Sequence, residues 1–187
     1  MGQYYKAVIL GKTSKRRNKT IIRHALSSYD YKNGAKLMEH SYVGNYFVNA
    51  VEQLLADEFY GFPFVWAGDY ADTKYKNDED CVYGYACEWI AKHEKKKSSE
   101  FHYVHYDYII NFDEKQYVKI PKDKAGEWTI HPLPLLCADG NQRGCGDYYG
   151  LNEDIVGSWS YNRIGMTNNV SDIPNGYTEL EVIFKEE

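Results

Sequence analysis

Gln3-Tyr4-Tyr5-Lys6-Ala7-Val8-Ile9-Leu10 is rich in Tyr, Val and Ile, and the same bias returns over residues 21–29. Between the two lies Gly11-Lys12-Thr13-Ser14-Lys15-Arg16-Arg17-Asn18-Lys19, which is polar and basic. β-Branched and aromatic runs flanking a polar connection predict two strands joined as a hairpin. Working outward, Tyr31-Lys32-Asn33-Gly34 carries an Asn-Gly turn signal. Phe47, Val48, Val51, Leu54 and Leu55 then follow the spacing of one helix face, with Ser41 or Asn45 available as its cap.

Phe62-Pro63-Phe64-Val65-Trp66-Ala67 ends at Gly68-Asp69 and reads as a buried strand. A second helix is predicted near 80–95, where Val82, Ala86, Trp89, Ile90 and His93 share a face. Asp78, Glu79 and Asp80 before it and Lys95, Lys96 and Lys97 after it complement the helix dipole. Residues 102–112 and 116–120 read as a hairpin around Asp113-Glu114-Lys115. Residues 128–130 suggest a short strand, and the alternation over 177–184 predicts a last one. Residues 137–176, rich in Gly, Asn and Asp, read mostly as loop. Strands outnumber helices, and hairpins recur in place of a repeating βαβ pattern. The prediction is one α+β domain over residues 1–187, with a largely antiparallel sheet and two main amphipathic helices.

Composition supports a folded chain. Of 187 residues, 43% are hydrophobic and 26% charged, which excludes wholesale disorder. A chain of this length buries about 70% of its unfolded surface without needing covalent staples. Cys81, Cys87, Cys137 and Cys145 lack the close C-x2-C pairs of zinc ribbons and are expected as free thiols. The N-terminal segment has no basic stretch followed by an apolar one, and Lys6 stands where a myristoylation signal has Ser or Thr. No apolar run reaches the roughly 18–20 residues of a membrane helix. A cytoplasmic protein with no membrane partner is expected.

Three groups of residues invite a functional reading. The first is a division of charge. Lys12, Lys15, Arg16, Arg17 and Lys19 place five positive charges in eight residues, and with a net charge of −5 they leave −10 on the rest. Such a loop suits RNA or DNA phosphates, while an acidic, tyrosine-rich body attracts the basic grooves of proteins that bind nucleic acid. Tyrosine, present 19 times, offers a flat apolar ring with a polar tip and serves sheets and binding faces alike. Within Trp66-Ala67-Gly68-Asp69-Tyr70-Ala71-Asp72, Asp69, Tyr70 and Asp72 follow a predicted buried strand and are candidates for partner contact.

The second group is Asp139-Gly140-Asn141-Gln142-Arg143-Gly144-Cys145-Gly146-Asp147-Tyr148-Tyr149-Gly150. Its glycines let backbone approach a ligand, and Arg143 suits phosphate, so Asn141, Arg143, Gly144, Gly146, Asp147 and Tyr148 are candidates for nucleotide or cyclic-nucleotide binding. It is not a P-loop, which ends in Gly-Lys-Ser/Thr. An EF-hand begun at Asp139 would put Arg143 at position 5 and Gly150 where a bidentate Glu belongs. The third group is His40 and His131 with Asp69 or Asp72, a His/carboxylate set for a metal-dependent hydrolase if the fold gathers them. No nucleophile-elbow or His-Glu-x-x-His motif occurs, no catalytic residue is assigned, and no cofactor is expected.

Met1-Gly2-Gln3-Tyr4-Tyr5-Lys6, Lys36-Leu37-Met38-Glu39-His40-Ser41, residues 65–72, His131-Pro132-Leu133-Pro134-Leu135-Leu136 and residues 140–148 together resemble signatures of a family of small uncharacterised proteins. That family is found in gut bacteria, their phages and mobile elements. The resemblance spans nearly the whole chain, and Cys145 stands where the family usually has glycine. It implies no established enzyme activity and no catalytic residues. It does imply a setting in which a compact acidic protein acts against host defence, as anti-CRISPR proteins do. The resulting expectation is a non-enzymatic inhibitor of a host defence nuclease, a CRISPR effector such as Cas9, with guide RNA or DNA held by residues 12–19. Nucleotide binding and metal-dependent hydrolysis are the alternatives.

Overall fold

The computed structural model describes residues 3–11, 21–71, 81–93, 102–122, 129–140 and 147–185. In chain order the elements are β1 (Tyr5–Leu10), β2 (Ile22–Leu26), α1 (Tyr46–Ala56), β3 (Phe62–Gly68), α2 (Val82–Lys92), β4 (Tyr108–Asn111) and β5 (Gln116–Lys119). There follow α3 (Pro132–Leu136), β6 (Ala138–Asp139), β7 (Arg163–Thr167) and β8 (Thr178–Glu179). The strands form an eight-stranded sheet in the order β2-β1-β3-β7-β4-β5-β8, with β6 also paired to β3. Only the β3–β6 and β5–β8 pairs are parallel, so the predicted α+β class with a largely antiparallel sheet holds.

The central strands explain why their sequences read as continuous apolar runs. Tyr5, Ala7 and Ile9 of β1, with Phe64 and Trp66 of β3, join the core that also holds α1 and α3. Val8, Leu10, Val65 and Ala67 turn to the opposite face and meet Val82 and Ala86 of α2. A strand covered on both faces has no polar side to alternate with. Asn45 is the cap of α1: its side-chain oxygen accepts from the backbone N–H of Phe47 at 2.8 Å and of Val48 at 3.1 Å. Ser41 is instead buried and gives its carbonyl to the His131 N–H at 2.7 Å.

α2 docks through fewer buried residues than α1, and β2 supplies part of its seat. The His24 ring lies 5.1 Å from Trp89 and 5.6 Å from Phe59, while His93 stacks on Trp89 at 3.8 Å. Burial pushes the His24 pKa below the usual histidine value; nearby Glu58 opposes the shift and His93 adds to it. Folding therefore disfavours protonated His24. Its contribution is complete above the unfolded value of about 6.5 and is lost as pH falls through the lower folded value. Stability measured by urea unfolding should decline on acidification below about pH 6.5, and His24→Gln should flatten that decline. An unchanged pH profile in the variant would remove His24 from this account.

Three expectations need correction. The strand predicted over 102–112 begins only at Tyr108, because α1 side chains take the preceding backbone: Asn49 bonds both the N–H and the C=O of Val104, and Gln53 bonds the His102 carbonyl. The described part of residues 137–176 is mostly loop, as expected, but it also carries β6 and β7, and β7 lies between β3 and β4 in the middle of the sheet. Its Gly165 is required by packing, for a Cβ there would stand 2.6 Å from the Tyr60 ring and 3.0 Å from Phe112. At 128–130, Ile130 makes only an isolated bridge to Tyr42, and Trp128 lies outside the described residues.

The last strand stops at Glu179. The alternation beyond it is real, with Val182 and Phe184 buried, but that segment docks on Tyr148 and Asn152 rather than on a strand. The short all-buried helix α3 was not expected, because its two prolines disguise it; Pro132 occupies the first turn, where proline needs no N–H partner. The expected charges flanking α2, Asp78 to Asp80 and Lys95 to Lys97, lie outside the described residues. Cys81, Cys87 and Cys137 are not in disulfides, in line with the expectation, with Cys137 fully buried and its pKa pushed up by that burial; Cys145 is outside the described residues.

Candidate functional site

The antiparallel register of β1 and β3 pairs Tyr5 with Gly68, so the start of β1 and the end of β3 share one end of the sheet. β6 runs parallel to β3 there, pairing Ala138 with Trp66 and Asp139 with Ala67. This topology delivers Asp69, Asp139 and Asp147 to the surroundings of the Tyr5 hydroxyl. Tyr5 donates to Asp147 Oδ2 at 2.7 Å. Gln3 adds two bonds to the same carboxylate, from its backbone N–H at 3.2 Å and its side-chain amide at 2.6 Å. Asp139 is buried and accepts a hydrogen bond from the Tyr161 hydroxyl. Asp69 and Tyr4 pair reciprocally: the Tyr4 N–H donates to Asp69 Oδ1 at 3.0 Å, and the Asp69 N–H donates to the Tyr4 carbonyl at 3.0 Å.

The three carboxylates do different work. Burial raises the Tyr5 pKa far above the ordinary phenol value, and the hydrogen bond and charge of Asp147, then the charges of Asp69 and Asp139, add to it. The Tyr5 hydroxyl is thus a fixed donor that neutralises part of Asp147. Asp139 is tied by Tyr161, whereas Asp69 is only half-buried. On either side of Asp69 in the chain or the pairing lie Tyr70, 53% exposed, and Tyr4, 46% exposed. Among the described residues, the sheet end therefore presents the half-buried Asp69 and Asp147 carboxylates close to the exposed Tyr4 and Tyr70, with the buried Asp139 adding negative charge.

Glycine makes the close approach possible. A Cβ on Gly140 would lie 2.5 Å from Gln3 Oε1 and 2.6 Å from the Tyr5 hydroxyl. Gly140→Ala should consequently disturb both donors to Asp147. Tyr5→Phe, which keeps the ring, should cost about 1.5–3 kcal/mol as a lost hydrogen bond to a charged group. Urea unfolding of both variants checks this, and a Tyr5→Phe protein as stable as the wild type would show that Asp147 is not held through Tyr5.

The residues predicted from sequence divide as follows. Asp69, from the partner-contact group, and Asp147, of the glycine-rich group, both act on Tyr5, and Tyr70 follows Asp69 in the chain as an exposed ring. Tyr148 is buried, and its hydroxyl bonds the Leu151 and Lys185 carbonyls at 2.7 and 3.0 Å and accepts from the Lys185 N–H at 2.9 Å. It anchors the C-terminal segment. Lys12, Lys15, Arg16, Arg17, Lys19, Asp72, Asn141, Arg143, Gly144 and Gly146 lie outside the described residues. Tyr5, Gln3, Asp139 and Tyr161 were not anticipated. Gln3 and Tyr5 reach Asp147 across 144 and 142 positions and Tyr161 reaches Asp139 across 22, contacts that no local sequence pattern announces.

Among the described residues, which exclude Asp72, the expected His/carboxylate set is not gathered. His40 and His131 have neighbouring backbones, but their rings go elsewhere. His40 Nδ1 accepts from the Lys36 N–H at 3.3 Å, and its ring covers Gly34, where a Cβ would come within 2.1 Å. His131 Nδ1 accepts from the Leu133 N–H at 3.1 Å and so caps α3, leaving Nε2 to donate to Glu52 Oε1 at 2.9 Å. The other Glu52 oxygen accepts from Asn49 at 2.6 Å. Glu52, His131 and Asn49 are each at most 3% exposed. This is a buried polar tie among α1, α3 and residues 102–104, and its members are occupied by one another. Among the described residues, no group of three or more His, Cys, Asp or Glu is placed to hold a metal ion. Nor is any helix among them long and apolar enough to cross a membrane.

Comparison of the chain with protein-family models, with curated proteins and with solved structures finds no match.

Proposed function

We infer that this protein is a non-enzymatic inhibitor of a host defence nuclease, and that it occupies the nuclease's basic nucleic-acid channel with the acidic end of its sheet. A CRISPR effector such as Cas9 is the first target to test. The observation that supports this reading is the half-buried Asp69 carboxylate, bonded to the backbone of exposed Tyr4, followed in the chain by exposed Tyr70, and sharing the surroundings of Tyr5 with Asp139 and Asp147. A channel that attracts phosphates attracts carboxylates for the same Coulombic reason. Tyrosine adds contact area at little entropic cost, which is why it is enriched at interface centres. The ties on Asp69 hold it in place before any partner arrives, lowering the ordering cost of binding. Lys12, Lys15, Arg16, Arg17 and Lys19 supply the charge for an additional contact to guide RNA or DNA.

The test is complex formation between the full chain and guide-loaded effectors, Cas9 among them, by size-exclusion chromatography at low and high salt. A complex that weakens as salt rises is expected. Failure to co-elute with any effector at low salt would overturn the reading.

A further inference from the structure

A second surface carries its own chemistry. Along the C-terminal half of α1 runs an open groove of about 300 Å³, walled on its other side by β2 and by Tyr31. Leu26, Ala50 and Leu54 form its apolar floor. Asp57 and Glu58 stand at one end, both exposed, and neither side chain has a hydrogen bond or ion pair among the described residues. The last turn of α1 contains no basic residue. The helix's C-terminal partial charge therefore adds to the two carboxylates without compensation. His24 also lines the groove, and its ring nitrogens have no hydrogen-bond partner among the described residues.

We propose that this groove receives an arginine side chain of a partner protein. The floor matches the hydrocarbon stem, which gains by leaving water. The paired carboxylates match the guanidinium, whose planar fork donates to two acceptors at once. The Tyr31 ring offers a face for the same cation. Volume is also in proportion: the groove lies at the lower end of the roughly 300–1,000 Å³ of small-molecule sites and is open to solvent, which suits one long side chain laid along it better than an enclosed ligand. This site is distinct from the sheet end and does not rest on the nuclease reading.

The probe is N-acetyl-arginine methylamide, titrated into the full 15N-labelled chain and followed by amide chemical shifts. Saturable shifts confined to residues 24–31 and 50–58 are expected, with a dissociation constant in the millimolar range suited to one isolated side chain. The citrulline analogue, which has nearly the same shape without the charge, should bind at least tenfold more weakly, and the lysine analogue more weakly than arginine. Asp57→Asn combined with Glu58→Gln changes only exposed side chains and should reduce arginine affinity at least tenfold. Equal responses to arginine and citrulline, shifts centred elsewhere, lysine binding as tightly as arginine, or an unaffected double variant would each overturn the proposal. Because the titration contains no nuclease, its failure leaves the sheet-end reading standing, and its success does not support that reading.

Discussion

Glu52→Ala is expected to lower stability by about 3 kcal/mol, because it leaves the Nε2–H of His131 and the side-chain amide of Asn49 buried without their acceptor. For a chain of this length that corresponds to a fall in melting temperature of roughly 6–12 °C. Glu52→Gln is the more informative change. Asn49 is pinned by both backbone groups of Val104, so its amide must point a donor at residue 52. His131 is pinned by the Leu133 N–H at Nδ1, so it too presents a donor. Position 52 must accept on both oxygens, which a carboxylate does and a carboxamide cannot. Glu52→Gln should consequently retain little of the stabilisation despite its matching shape. His131→Ala should cost at least as much as Glu52→Ala, since it leaves a buried carboxylate short of a partner and uncaps α3. Urea unfolding of the single and double variants gives the coupling energy, and a value under about 0.5 kcal/mol would mean the pair does not act as a unit.

The second large effect is on binding. Tyr70→Ala should weaken association with the nuclease by about 2 kcal/mol, roughly thirtyfold, if the exposed ring fills a pocket at the interface centre. Asp69→Asn keeps an oxygen for the Tyr4 N–H and removes only the charge. It should slow association and reduce the salt dependence while leaving the fold's stability close to wild type. Association kinetics at two salt concentrations separate these effects. Wild-type kinetics from both variants would show that the sheet end is not the contact surface.

What was legible in the sequence follows from where information is local. β1, β3, the face of α1 and the face of α2 were readable because burial on one or both sides imposes apolar runs or helical spacing. The turn after β4 was readable as well, and Asn111 accounts for it by accepting from the Asp113 and Glu114 N–H groups. β7 was hidden because Gly165 and the neighbouring Asn and Ser residues resemble a loop, although the glycine is there to admit two aromatic rings. At the candidate site, Asp69 and Asp147 were each singled out for local reasons. Their meeting around Tyr5 depends on strand order, which neither segment encodes alone. His131 shows the opposite failure. The sequence points to conspicuous aspartates as its carboxylate partner, but the partner is Glu52, whose helical position resembles that of any surface glutamate.

The tyrosines sort in the same way. Tyr5 and Tyr148 are core residues whose hydroxyls tie distant segments together. Tyr4 and Tyr70 remain exposed at the sheet end. The central claim is that this end competes with nucleic acid for a basic channel. Its most direct test is displacement of fluorescently labelled target DNA from a guide-loaded effector, read by anisotropy as the protein is added. The account predicts full displacement by the wild-type protein, reversed by excess unlabelled DNA and shifted to roughly thirtyfold higher concentration by Tyr70→Ala. DNA that stays bound at saturating protein, or displacement that Tyr70→Ala and Asp69→Asn leave unchanged, would contradict it.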